Sequence, residues 1–336
     1  MALKLWTTVV CATALLHASV ASSQSTVVEV TQTVGASTED IAAVATQIRA
    51  FGELGAGVRF MGEGAWGARS AGETDAFGAA YPYTNRLQVI EAYGERTFQP
   101  GRFLVGVRAG RYRTPFGISS ASDHAYTGFL RAPLIRYDGY FALTNNSLEH
   151  GVDVIVGVPR LTLEVSTGVP GDVGEESRRP GLDTVVRGQG AVGPVIVGLS
   201  YSNTKPYQPE YFAFGRAVFT GIDVRYMHGG VEARGEWITG RPFDGTTNTG
   251  GYADLIVHRP LMGPVTAVMR IEHLAYEAEE PFELYGMRYT FGARVRVFRQ
   301  FTAAINLIHQ SEDLPQRRPT SVDVGLTYSL RSRQTR

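Results

Sequence analysis

The side chains with reactive groups at regular spacing in this sequence are charges rather than nucleophiles or metal ligands. Between Met287 and Val297 apolar and polar residues alternate strictly. Successive strand side chains point to opposite faces, so Arg288, Arg294 and Arg296 share one face while Met287, Tyr289 and Phe291 share the other. The same alternation sets Glu232, Arg234 and Glu236 on one segment beside Asp223 and Arg225 on the segment before it, and places Arg270 level with Glu272. Arg59, Glu63, Arg108 and Arg187 occupy equivalent faces of further segments. Charges of this density cannot sit unpaired in a dry core, so the pattern predicts faces wetted by water. Arginine ladders lower the barrier for anions, and carboxylates do so for cations.

No familiar catalytic spacing accompanies these charges. His124, His150, His228, His258, His273 and His309 are scattered, with no spacing comparable to His-Glu-x-x-His. No Gly-x-Ser-x-Gly elbow, phosphate-binding glycine loop or dinucleotide fingerprint occurs. A membrane-embedded hydrolase could place His and Ser on neighbouring strands without a sequence signature, but Asp153 and His273 do not have that pattern. The expectation is a chain without enzymatic activity, cofactor or metal. The single cysteine, Cys11, leaves no disulfide chemistry. Lysine and arginine together equal aspartate and glutamate, which argues against a nucleic-acid partner, since that requires a basic surface.

The elements that must carry these charges read as strands. Period-two runs bounded by Gly, Pro, Asn and Asp give about fourteen candidates between residues 54 and 330, each near the ten residues that a tilted membrane-crossing strand requires. Leu87, Val89 and Ile90 break the alternation and mark a bulge. Short connections such as Pro159-Arg160, Gly193-Pro194 and His228-Gly229-Gly230 alternate with long polar ones, so the two classes segregate to opposite rims. This is the pattern of a closed, all-β, antiparallel transmembrane barrel with short periplasmic turns and long extracellular loops. Closure is required because lipid offers no partner to an open sheet edge. The lipid-facing set includes Val152, Val154, Val156, Leu161, Leu163 and Val165. The connection from Arg113 to Leu148 is too long for a simple loop. Either it folds inward and narrows the pore through Arg131, Arg136 and Asp138, or Tyr126–Arg131 and Ile135–Leu143 are two further strands, raising fourteen to sixteen.

Residues 1–21 read as an export signal: Lys4, an apolar core from Leu5 to Leu16, and a small-residue site at Ser19-Val20-Ala21. Residues 22–52 are expected to form a periplasmic segment with one short helix, because Ser37 or Thr38 can cap the run Glu39 to Arg49. The barrel then spans 53–330, and residues 331–336 form a basic tail.

The run Gly110-Arg111-Tyr112-Arg113-Thr114-Pro115-Phe116-Gly117-Ile118 resembles a segment of the phosphate-selective porin O and P family of bacterial outer-membrane proteins. A second similar region runs from Gly221-Ile222-Asp223-Val224-Arg225-Tyr226 through Gly235-Glu236-Trp237-Ile238-Thr239-Gly240 to Gly250-Gly251-Tyr252. The resemblance implies a trimeric outer-membrane channel of sixteen strands. The chain departs from the phosphate-concentrating members in lacking a lysine cluster: beyond Lys4, Lys205 is the only lysine.

The combined expectation is an outer-membrane porin in contact with outer-membrane lipid, passing small hydrophilic or anionic solutes by diffusion. The alternatives are a plugged or structural barrel acting through its extracellular loops, and a transporter of apolar compounds, which the charged faces disfavour.

Overall fold

A computed structural model describes residues 25–70, 87–118, 128–136, 148–170, 182–204, 216–242, 246–258, 264–277, 283–311 and 318–335. Sixteen strands follow one another along the chain. They are β1 (Ser25–Ser37), β2 (Ile41–Gly55), β3 (Val58–Arg69), β4 (Leu87–Phe98), β5 (Leu104–Arg113), β6 (Leu148–Val158), β7 (Leu161–Pro170) and β8 (Asp183–Val192). The second half comprises β9 (Val195–Thr204), β10 (Ala217–His228), β11 (Val231–Arg241), β12 (Thr247–Val257), β13 (Val265–Glu277), β14 (Leu284–Arg296), β15 (Phe301–Gln310) and β16 (Thr320–Thr335). Each strand pairs antiparallel with its neighbours in sequence, and β1 pairs with β16, so the sheet closes into a barrel.

The sixteenth-strand count is reached at the N-terminus, not within the long loop. The expected helix over 37–49 is overturned: β1 and β2 form a hairpin there, joined by Thr38-Glu39-Asp40. The sequence Ala42-Ala43-Val44-Ala45 suits a helix locally, but β3 and β16 would then each present a bare edge; the hairpin satisfies both. The basic tail is likewise overturned, because β16 continues to Thr335 by pairing with the start of β1, Ser25 opposite Thr335. In the long loop a 3-10 turn occupies Leu134–Arg136; residues 126–127 and 137–143 of the two alternative strands lie outside the described residues, as do the export signal and Asp138.

One rim carries the tight connections. Ala56 and Gly57, with φ of 52° and 74°, make a two-residue turn whose backbone twist matches the flanking strands, which is why β2 and β3 separate where sequence alternation alone runs on. The expected bulge is present: the register slips between Glu63 and Gly64, leaving Ile90 as an extra, fully buried residue. At the other rim most connections are longer, the exceptions being Thr38–Asp40 and the five residues 242–246.

The outward face is apolar and open: Val152, Val154, Val156, Leu161, Leu163 and Val165 are exposed on adjoining β6 and β7. The tight-turn rim is strongly basic. Arg59, Arg96, Arg296, Arg331 and Arg333 are exposed at strand ends there, and Arg102, Arg160 and Arg299 are exposed on the connections. The only exposed carboxylate at that rim among the described residues is Glu53.

Candidate functional site

The site is built by the connection after β5. Its first limb, Thr114–Ile118, turns into the barrel because Phe116 has an apolar seat to fill: it is buried in a cluster with Leu134, Ile135, Val185, Phe219, Ile238 and Leu274. Burial of that ring supplies the inward pull. Gly117 then donates its N–H to Ser200 Oγ at 3.0 Å and accepts from the Arg187 guanidinium. Its φ of +58° and the Glu236 carboxylate, which lies where a Cβ would project, restrict the position to glycine.

The second limb, Gly128–Arg136, is tied to the wall formed by β12 to β16. Leu130 N donates to Asn306 Oδ1 at 2.7 Å, and Asn306 returns a bond to the Gly128 carbonyl at 3.1 Å. Leu134 N donates to Glu272 Oε1 at 2.8 Å. Arg270 and Arg288 donate to the Arg131 and Ala132 carbonyls at 3.2 and 2.5 Å. Both guanidiniums are in turn held by carboxylates of neighbouring strands, Arg270 by Asp254 at 2.6 Å and Arg288 by Glu272 at 2.6 Å. Arg131 reaches Asp323 at 2.6 Å and Glu39 at 2.7 Å. Burial disfavours the Arg131 charge, but these two carboxylates outweigh it and hold the guanidinium above its ordinary pKa.

This seat leaves the opposite side of the barrel open. A cavity of 510 Å³ remains between the first limb and the wall from β2 to β10, lined by five guanidiniums, Arg49, Arg108, Arg113, Arg187 and Arg225, and three carboxylates, Glu91, Glu164 and Asp223. Most are paired across strands. Arg113 meets Glu63 at 2.8 Å and Glu91 at 3.6 Å, and Arg49 meets Glu63 at 2.8 Å. Arg108 is surrounded by Glu95, Asp153 and Glu164 at 3.4, 3.5 and 3.8 Å. Arg187 bonds Asp223 at 2.8 Å. Arg225 Nε and Asp223 Oδ2 are buried without a hydrogen-bond partner in the protein. The arrangement holds fixed charges of both signs around the cavity, where they can orient a polar or charged solute.

The sequence-derived charge set thus divides. Arg108, Arg187, Asp223 and Arg225 line the cavity, and Glu63 braces it from behind. Arg234, Glu236, Arg270, Glu272 and Arg288 are not among its lining residues and are at most 6% exposed: Arg270, Glu272 and Arg288 bond the loop directly, Arg234 bonds Asp254, the partner of Arg270, and the Glu236 carboxylate lies against Gly117. The expected ladder Arg288, Arg294, Arg296 is therefore broken, with Arg288 beneath the loop, Arg294 half-buried and Arg296 exposed at the tight-turn rim. Arg59 and Glu232 also sit toward that rim, pairing with Glu95 at 3.9 Å and His258 at 3.7 Å. Of the loop residues, Arg131 is buried as a wall contact, whereas only the backbone of Arg136 is described. Sequence reasoning missed Arg49, assigned to a helix, and Glu91, Tyr93 and Arg113. The alternation Gln47, Arg49 on β2 and Glu91, Tyr93, Glu95 on β4 was the available signal.

No family model and no curated protein matches this chain in sequence. Solved structures match in shape. The anion-selective porin from Comamonas acidovorans superposes with a TM-score of 0.62 at 10% identity, covering 91% of this chain and 98% of that one. OmpF of Salmonella typhi, solved with daunomycin, gives 0.61 at 10% identity, covering 92% and 98%. The trimer form of OmpT, an outer membrane protein of Vibrio cholerae, gives 0.57 at 8% identity, covering 91% and 98%. What these likenesses share with the chain is architecture: it is folded as a porin-type barrel of sixteen antiparallel strands.

Proposed function

We propose that the protein is an outer-membrane porin that lets small hydrophilic solutes, anions among them, diffuse through its lumen. The observation that carries this reading is the charged cavity of 510 Å³ between the inward-folded loop and the wall from β2 to β10, inside a closed barrel whose outer face is apolar. The apolar exterior suits contact with outer-membrane lipid, and the polar interior suits water. Size exclusion follows from the loop, and bias among solutes follows from the pore-lining charges Arg49, Arg108, Arg113, Arg187, Arg225, Glu91, Glu164 and Asp223. Because each carboxylate has a guanidinium neighbour, the passage favours anions only weakly and without preference for phosphate; the lysine cluster expected of phosphate-concentrating relatives is absent. A homotrimer, exported by way of the leading segment 1–21, is part of the same reading; a trimer form is known for the OmpT of similar fold.

Single-channel recording in a planar bilayer under a salt gradient tests it. Stepwise conductance with a small anion-favouring reversal potential is the expected result. Silence from correctly folded barrel would overturn the channel reading and leave a barrel plugged by its loop.

A further inference from the structure

The charged rim stands apart from the lumen. The sequence as a whole is neutral, yet the tight-turn rim exposes eight arginines against the one exposed carboxylate Glu53 among the described residues. At the other rim the exposed Arg241 and Arg318 are offset by the exposed Asp40, Glu277 and Glu283. Three of the tight-turn rim's arginines have an exposed aromatic ring beside them. Arg96 lies 4.7 Å from the centre of the Phe98 ring, and Arg102 and Arg299 adjoin Phe103 and Phe298 in the chain. Those three rings are 44%, 56% and 69% exposed.

Resting on the membrane-spanning reading, we propose that this rim binds the phosphate headgroups of anionic phospholipids in the leaflet against which it lies. A phenyl ring at the edge of the hydrocarbon with a guanidinium just beyond it matches the two halves of a phospholipid: apolar chain first, phosphate next. A soluble acidic polymer would be held by the guanidiniums alone and would leave the three rings in water. Guanidinium forks also match phosphate geometry better than ammonium groups do, and every basic group on this rim other than histidine is an arginine.

The test is native mass spectrometry of the folded barrel released from micelles containing equal phosphatidylglycerol and phosphatidylcholine. Preferential retention of phosphatidylglycerol is expected, falling by about fivefold for each arginine removed in R96Q, R102Q and R299Q and approaching the phosphatidylcholine level in the triple variant. R241Q/R318Q at the opposite rim leaves retention unchanged. Should the triple variant fail to fold, raising the salt on the unaltered protein serves instead, since screening must erase the preference. Equal retention of both lipids, or a preference that survives the triple variant or high salt, overturns the proposal; loss of bound phosphatidylglycerol to a soluble peptidoglycan fragment added in equal amount does so in favour of a wall polymer. Conductance is read on the same samples. A silent barrel that still prefers phosphatidylglycerol removes the channel reading and leaves this one standing.

Discussion

Arg131 and Asp323 lie 192 positions apart in the chain and are joined by two hydrogen bonds, Nε to Oδ2 at 2.6 Å and Nη2 to Oδ1 at 2.9 Å. The pair fastens the long loop to the last strand, with Glu39 of the β1–β2 turn completing the grip at 2.7 Å. Replacing Arg131 by alanine leaves two buried carboxylates without their cation, a loss of about 3–5 kcal/mol for such a site. A lower temperature of heat-modifiable unfolding and a noisier, larger single-channel conductance are expected. Asp323→Asn in the Arg131→Ala background should restore part of the lost stability, because it removes the stranded charge.

The two partners Arg187 and Asp223 are expected to act in opposite senses. Arg187→Gln leaves the Asp223 carboxylate facing the cavity and shifts the permeability ratio toward cations; Asp223→Asn frees Arg187 and Arg225 and shifts it toward anions. One unit charge a few ångströms from a wetted path is worth about 1 kcal/mol, or about fivefold in permeability ratio. Reversal potentials under a salt gradient measure both. Shifts of the same sign would refute this assignment.

Arg288→Gln provides the contrast. It sits beneath the loop at 5% exposure, tied to Glu272. Its removal is expected to lower thermal stability and alter gating noise while leaving the reversal potential far closer to that of the unaltered protein than Arg187→Gln does.

Gly117→Ala is expected to unseat the first limb. The φ of +58° is strained for any other residue at a cost of about 1–3 kcal/mol, and the Glu236 carboxylate must also move. An altered conductance with normal heat-modifiable migration would place the defect in the loop; unaltered conductance would show that the limb does not border the passage.

Removal of residues 25–55 should abolish the folded, heat-modifiable form, since β3 and β16 would lose their shared partners. A periplasmic extension could be removed without that effect, so the deletion separates the two assignments of this segment by electrophoretic migration alone.

What was legible in the sequence was whatever is local. Alternation such as Met287 to Val297 and two-residue turns such as Gly193-Pro194 are fixed by neighbours within a few positions, so strands, faces and rims could be read directly. The β1–β2 hairpin was not, because Ala42 to Ala45 satisfies a helical pattern as well as a strand and only distant edges decide between them. The seat of the loop was equally hidden. Arg270 and Arg288 look like any inward charge until Arg131 and Ala132, more than a hundred positions earlier, arrive to cover them.

The seam between β1 and β16 has a temporal meaning. Every other ladder joins consecutive strands and can zip as the chain supplies them, whereas this one unites the first strand with the last. Asp323, the loop's anchor, lies on the sealing strand in register with Ser37 across the seam. Closing the wall therefore also completes the loop's hold: its bonds to Arg270, Glu272, Arg288 and Asn306 need no seam, whereas the grip of Asp323 on Arg131 is available only once the last strand is in place.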